Sequence, residues 1–155
     1  MTGGVDPDAR VHVLARLAAG PARLAALARQ VTAVEAGAPP PGEWSAQDVV
    51  AHLAAVEAMV IQGRLRDLDA GGNPTWTWTE PGPLADPEAA SLEGALAVFA
   101  RHRAATLATA AGLDEAGWAR WGTHATFGRL DVAGVLRVAA DHDDEHLGGL
   151  EARRG

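Results

Sequence analysis

Ala140-Asp141-His142-Asp143-Asp144-Glu145-His146-Leu147 carries two histidines four residues apart inside an otherwise amphipathic run. On an α-helix, residues i and i+4 share one face with Cβ atoms about 6 Å apart. Both imidazoles can therefore reach one metal ion. Read outward, Val132, Val135, Ala139, His142, His146 and Gly149 recur at alternating steps of three and four. That is the core-facing stripe of a bundle helix, and the histidines stand where it calls for aliphatic side chains. Two adjacent buried imidazoles are costly without partners, and a bound metal would supply them. The competing arrangement is a polar patch in which neighbouring Asp and Glu satisfy the rings.

Three further helices precede this one. The first spans about Asp8 to Val34, with Gly20-Pro21 predicting a break or kink. Pro39-Pro40-Pro41 then form a stiff connector. Ser45 caps the second helix, with Asp48 in its first turn. Val49, Leu53, Val56 and Val60 form its buried stripe, and His52 lies at the edge of that stripe. This helix should end near Leu68, before Gly71-Gly72. The third spans about Pro87 to Ala111, a short turn or helix follows over Leu113 to Trp121, and the fourth begins near Leu130-Asp131 and ends near Gly148-Gly149.

Between helices two and three lies Ala70 to Ala85, too rich in Gly and Pro for a continuous helix. Its Thr75-Trp76-Thr77-Trp78-Thr79 reads as a short strand or a plug over the bundle end. The simplest role for so long a loop is a crossover that leaves helices two and three parallel. The fold class is therefore all-α, a four-helix bundle, with one domain over residues 1–155.

That topology supplies a third ligand. His52 is early in helix two, and His142 and His146 are late in helix four. With helix four antiparallel, all three converge at one level of the core. Three histidines with an open position resemble a catalytic zinc site, although imidazole also suits nickel, iron and copper. Asp143, Asp144, Glu145 and Asp48 are candidates to orient the rings, with a solvated face the simpler role for the first three. Glu57 lies too far around its helix to share the metal. His124, in a loop, reads as a surface residue, and His12 and His102 as structural or exposed. Trp44 should pack beside the second helix, and Trp76 and Trp78 are placed to line a pocket.

Composition narrows the chemistry. The chain has no cysteine and no lysine, all 13 basic residues being Arg, which excludes a thiol nucleophile, a Schiff-base lysine and a P-loop lysine. A net charge of −7 argues against a general nucleic-acid binder. The first residues lack a signal-peptide layout. No apolar run approaches the ~20 residues of a membrane span, so a soluble cytoplasmic protein with no membrane partner is expected.

Trp44-Ser45-Ala46-Gln47-Asp48-Val49-Val50-Ala51-His52-Leu53 resembles the W-S-x-x-(E/D)-V-x-x-H-L segment of DinB/YfiT-like proteins. His142-Asp143-Asp144-Glu145-His146-Leu147 is similar to their closing H-D-x-x-H-L helix, and Gly128-Arg129-Leu130 to the G-x-L entry into it. The resemblance spans nearly the whole chain. It implies an up-down-down-up bundle whose ligands match His52, His142 and His146, holding a divalent metal, commonly zinc or nickel, with iron or manganese as alternatives. It also implies a homodimer. Some branches are thiol S-transferases or isomerases using mycothiol or bacillithiol, and a metal would lower the pKa of such a low-molecular-weight thiol. A hydrolase is the close relative of that reading. The competing expectation is a non-catalytic stress-response or interaction module with a structural metal site. Arg64 and Arg66, Arg101 and Arg103, or Arg120 are candidate carboxylate grips, each more simply read as solvated.

Overall fold

The computed structural model describes residues 6–36 and 38–155. The residues that would carry a signal peptide, Met1 to Val5, and Gly37 of the proline connector lie outside them. Helix α1 spans Pro7–Glu35. Next, α2 (Ala46–Ala55) runs through a π turn at Val56–Ile61 into α3 (Gln62–Ala70), together forming the second rod of the bundle. The third is α4 (Leu92–Ala111), preceded by a 3₁₀ turn at Pro87–Ala89, and the fourth is α6 (Val132–Arg153). A one-turn helix, α5 (Glu115–Ala119), follows α4. Side-chain oxygens cap the rods: Ser45 accepts from the Asp48 N–H as the sequence predicts, and Ser91 from Gly94 and Asp131 from Gly134 do the same for α4 and α6.

Ion pairs fix the directions. Arg16 meets Asp141 and Asp144 while Arg153 meets Glu35, so α1 and α6 are parallel. Arg29 meets Glu93 while the Leu17 carbonyl meets Arg103, so α1 and α4 are antiparallel. Gln47 reaches Ala89 and Gln62 reaches His102, so the second and third rods are parallel. The bundle is up-down-down-up, with the crossover where its loop length required one.

The crossover also pairs. Strand β1 (Thr75–Trp76) lies parallel to β2 (Trp121–His124), which forms an antiparallel hairpin with β3 (Gly128–Asp131). This hairpin was not foreseen. Gly122 lets β1 approach closely, since a Cβ there would stand 2.6 Å from the Trp76 ring and 2.7 Å from the Pro74 carbonyl. The strands are too short to carry the core, so the fold remains helical.

Two apolar clusters fill the interior. One joins Leu24, Val31, Val50, Leu53, Phe99 and Leu150, and the other joins Leu17, Ile61, Leu65, Trp118, Val135 and Leu136. Leu147 and Leu150 close the first cluster on α6, whereas Gly149, which the sequence stripe placed inward, is exposed.

Between the clusters lies an ionic layer that corrects three expectations. Arg103, read as solvated, is 1% exposed. Its Nε and Nη2 donate to both Glu57 oxygens at 2.9 and 3.0 Å, and Nη2 reaches Asp143 Oδ2 at 2.8 Å. Asp143 is thus buried rather than on a solvated face, and burial pushes its carboxyl up to about 6 against the pull of Arg103. Glu57 serves this layer, not the histidines. The third correction concerns Gly20-Pro21, which does not break the helix. Proline has no N–H, so the Leu17 carbonyl one turn earlier lacks its helical donor, and Arg103 Nη1 donates to it at 2.9 Å instead. A Cβ at Gly20 would stand 2.8 Å from that nitrogen, so glycine makes the approach possible.

One 18-residue window of α1 reaches a mean hydropathy of 1.2, apolar enough by length and composition to cross a membrane. The expectation that no segment approaches this is corrected. In the bundle, Arg16 and Arg23 of this helix are paired with acids of α6.

Candidate metal centre

Ser45 starts α2 so that His52 falls in its second turn, facing the crossover, and it is completely buried rather than at a stripe edge. Its Nδ1 lies 2.6 Å from the Pro81 carbonyl. A carbonyl can only accept, so Nδ1 carries the proton and Nε2 presents a lone pair. The carbonyl, not Asp48, therefore orients the ring. Leu84 N–H donates to the Ala51 carbonyl at 3.0 Å, which pins the crossover along α2.

On α6, His142 and His146 stack one turn apart, with Nε2 atoms 3.2 Å from each other. Their rings lie 5.3 and 4.9 Å from that of His52. The sequence-predicted triad is thus assembled. Its fourth member was missed: Glu80 Oε1 stands 3.0 Å from His52 Nε2 and 3.4 Å from His142 Nε2. Its other oxygen, Oε2, accepts from the Trp78 indole at 2.8 Å. The available signal was its position immediately before Pro81, in a loop whose length already demanded a role.

One potential ligand atom from each of His52, Glu80, His142 and His146 lies within 4.8 Å of all the others. Despite its 3.0 Å approach to Glu80, His52 Nε2 is buried with no hydrogen-bond partner, because a bare ring nitrogen and a carboxylate oxygen both only accept. Burial, then the charges of His142 and His52, pull the His146 imidazole down to about 4, and burial likewise lowers His142. Burial works to raise Glu80, but the hydrogen bond and charge of His142, with the Trp78 indole, outweigh it and hold the carboxyl below its usual value. Three imidazole nitrogens and one carboxylate oxygen gathered about one point fit a divalent cation.

Two grooves open at this cluster. One, of about 540 Å³, runs from Trp44 and Val49 to His146, and the other, of about 480 Å³, runs from Trp78 and Phe127 to His142. Trp44 packs 4.9 Å from the His52 ring, as expected of it, and Trp78 lies 6.2 Å from His142. His12, Asp144, Glu145, Arg66, Arg101 and Arg120 are exposed, as the sequence suggested. His124 and Arg64 were read as surface residues and are both buried, where the hairpin meets α3.

Fold and site together define an up-down-down-up helical bundle with a polar His/Glu centre beneath its crossover. A family model described as the DinB superfamily matches residues 16–150, and the chain belongs to that superfamily. Among solved structures it is similar to one reported as "YfiT from Bacillus subtilis is a probable metal-dependent hydrolase with an unusual four-helix bundle topology". That match has a TM-score of 0.75 at 17% identity, covering 99% of this chain and 90% of the other. No curated protein matches.

Proposed function

We propose that this protein is a divalent-metal-dependent hydrolase of small molecules, with His52, His142 and His146 as ligands and Glu80 as the proton-handling carboxylate. The buried, unpartnered Nε2 of His52, facing three other donor atoms, carries this reading. The description of YfiT as a probable metal-dependent hydrolase supports it. A divalent ion held there would supply Lewis-acid chemistry and lower the pKa of what it binds. Glu80 Oε1 sits within reach of the same point and is ionised at neutral pH, so it can accept a proton there. Trp78 holds the other oxygen and keeps the carboxylate aimed. The Pro81 carbonyl fixes the His52 tautomer, and a cation held by such a set binds more tightly for it.

The two grooves favour a second reading, transfer to a low-molecular-weight thiol, because each could bring one reactant to the same centre. A chain without cysteine needs its thiol from outside.

Metal analysis of untagged protein tests the assignment. Wild type should hold about one zinc, nickel, iron or manganese per chain, lost in His52→Ala and His142→Ala. Glu80→Gln should keep the metal and lose about 10²- to 10⁴-fold in turnover of whichever ester, amide or thiol-transfer substrate a screen finds. Normal metal content in both histidine variants would falsify the ligand set. Metal binding without turnover in either screen would leave a non-catalytic module.

A further inference from the structure

Among the described residues, two arginines, Arg64 and Arg103, are buried, and they are treated differently. Arg103 meets two carboxylates and a carbonyl. Arg64, 5% exposed, has no carboxylate within 4.0 Å among the described residues. Its contacts are the Thr77 carbonyl at 3.5 Å, the Trp76 ring at 5.8 Å and His124 Nε2 at 3.2 Å.

The last contact has a donor too many. His124 Nδ1 accepts from the Thr126 N–H at 3.0 Å. A neutral ring that accepts at Nδ1 carries its proton on Nε2, and a guanidinium only donates. Two N–H groups therefore face each other beside an uncompensated positive charge. Excess donors and excess charge in one buried place are what recognise a carboxylate, which accepts at two oxygens.

The location gives this a use. Arg64 lines a narrow crevice with Trp78, Thr79 and His142, and also an open groove of about 440 Å³ with Trp76 and Thr77. The Trp78 ring lies 6.4 Å from His124 and 6.2 Å from His142. The Arg64–His124 pair is thus one aromatic ring away from the histidine cluster.

We propose that Arg64, with the Nε2–H of His124, is a binding subsite for a small carboxylate. Resting on the enzymatic reading above, that carboxylate belongs to the substrate, whose reacting end lies at His142. A pair that only staples the hairpin to α3 would hold the same contacts and bind no anion.

The test uses metal-free protein, so its outcome does not depend on the metal centre. ¹⁵N-labelled protein is titrated with acetate and with succinate at constant ionic strength set by chloride, following the arginine Nε–H and tryptophan indole resonances. Arg64 and Trp78 should shift saturably, and Arg64→Gln should weaken the affinity at least about tenfold. Arg64→Lys keeps the charge, loses the two-pronged geometry, and should weaken it at least about threefold. It decides the matter should Arg64→Gln not fold. No saturable shift, or a titration unchanged by the variants, would overturn the subsite. Saturation by inorganic phosphate and by neither carboxylate would overturn the ligand class. Metal content of Arg64→Gln should stay at the wild-type level. Absence of metal from wild type would sink the hydrolase reading while leaving the anion titration standing.

Discussion

Replacing Arg103 by methionine should remove a large share of the stability of this bundle. The side chain fills the layer between the two apolar clusters, so methionine keeps most of its volume and removes its charge. What remains is two buried carboxylates, Glu57 and Asp143, and the Leu17 carbonyl that Pro21 deprives of its helical donor. Breaking a buried ion pair from one side costs about 3–5 kcal/mol. An orphaned carbonyl adds about 1–3 kcal/mol. Against a total stability of about 5–15 kcal/mol, the variant should be barely folded at pH 7.5. The pH dependence has a definite sign. Burial already raises Asp143 to about 6, and losing the opposing charge of Arg103 must raise it further. A carboxyl whose folded pKa lies above its unfolded one destabilises at high pH and ceases to do so below the unfolded value. The deficit should therefore shrink as pH falls from 7.5 to 5. Urea unfolding of metal-free protein, followed by circular dichroism at both pH values, measures it. The combined variant Glu57→Met, Arg103→Leu, Asp143→Leu should recover most of the loss, since apolar groups of similar volume replace buried ion networks well. A deficit below about 1 kcal/mol at pH 7.5, or one equal at both pH values, would refute this account.

Pro21→Ala tests the same layer from the helix. A proline inside a helix ordinarily costs about 3 kcal/mol, but Arg103 already satisfies the freed carbonyl. The gain should stay under about 1 kcal/mol by the same urea assay; a full gain would mean that the Arg103 contact contributes nothing. At the histidine centre, burial lowers His142 and holds His146 at about 4, so proton competition begins only well below neutrality. Cobalt(II) loaded in place of the native metal should remain at pH 5.5, read by its visible absorption. Half-release at or above pH 6.5, the ordinary histidine value, would contradict the lowered pKa values.

The helices and the histidine triad were legible because both rest on periodicity. Ser45, Asp131 and the i, i+4 histidines act locally, and the length of the crossover carried the topology. What escaped the sequence was decided by partners far along the chain. A charged residue on a helix reads as solvated unless its complement is known. Arg103, Glu57 and Asp143 come from three different rods, and their burial exists only once these pack. Gly20-Pro21 reads as a break because the donor that repairs the Leu17 carbonyl lies 86 positions beyond Leu17. The β2–β3 hairpin has four-residue strands, too short for alternation to show. Glu80 enters the site through the path of a loop, which no periodic pattern records.

The π turn at Val56–Ile61 acts as a rotary offset between the two ends of one rod. At about 100° per residue, the twelve positions from His52 to Arg64 would leave those side chains roughly 120° apart on an uninterrupted α-helix. A π bulge holds roughly one residue more than the α-turn it replaces, which winds this angle back to about 20°. Histidine and arginine then look out over the same crossover, one toward Pro81 and the other toward Thr77. Making the bulge α-helical without removing a residue would turn Arg64 roughly 100° away from the loop that covers His52, whereas deleting one residue of it would keep both side chains on that side.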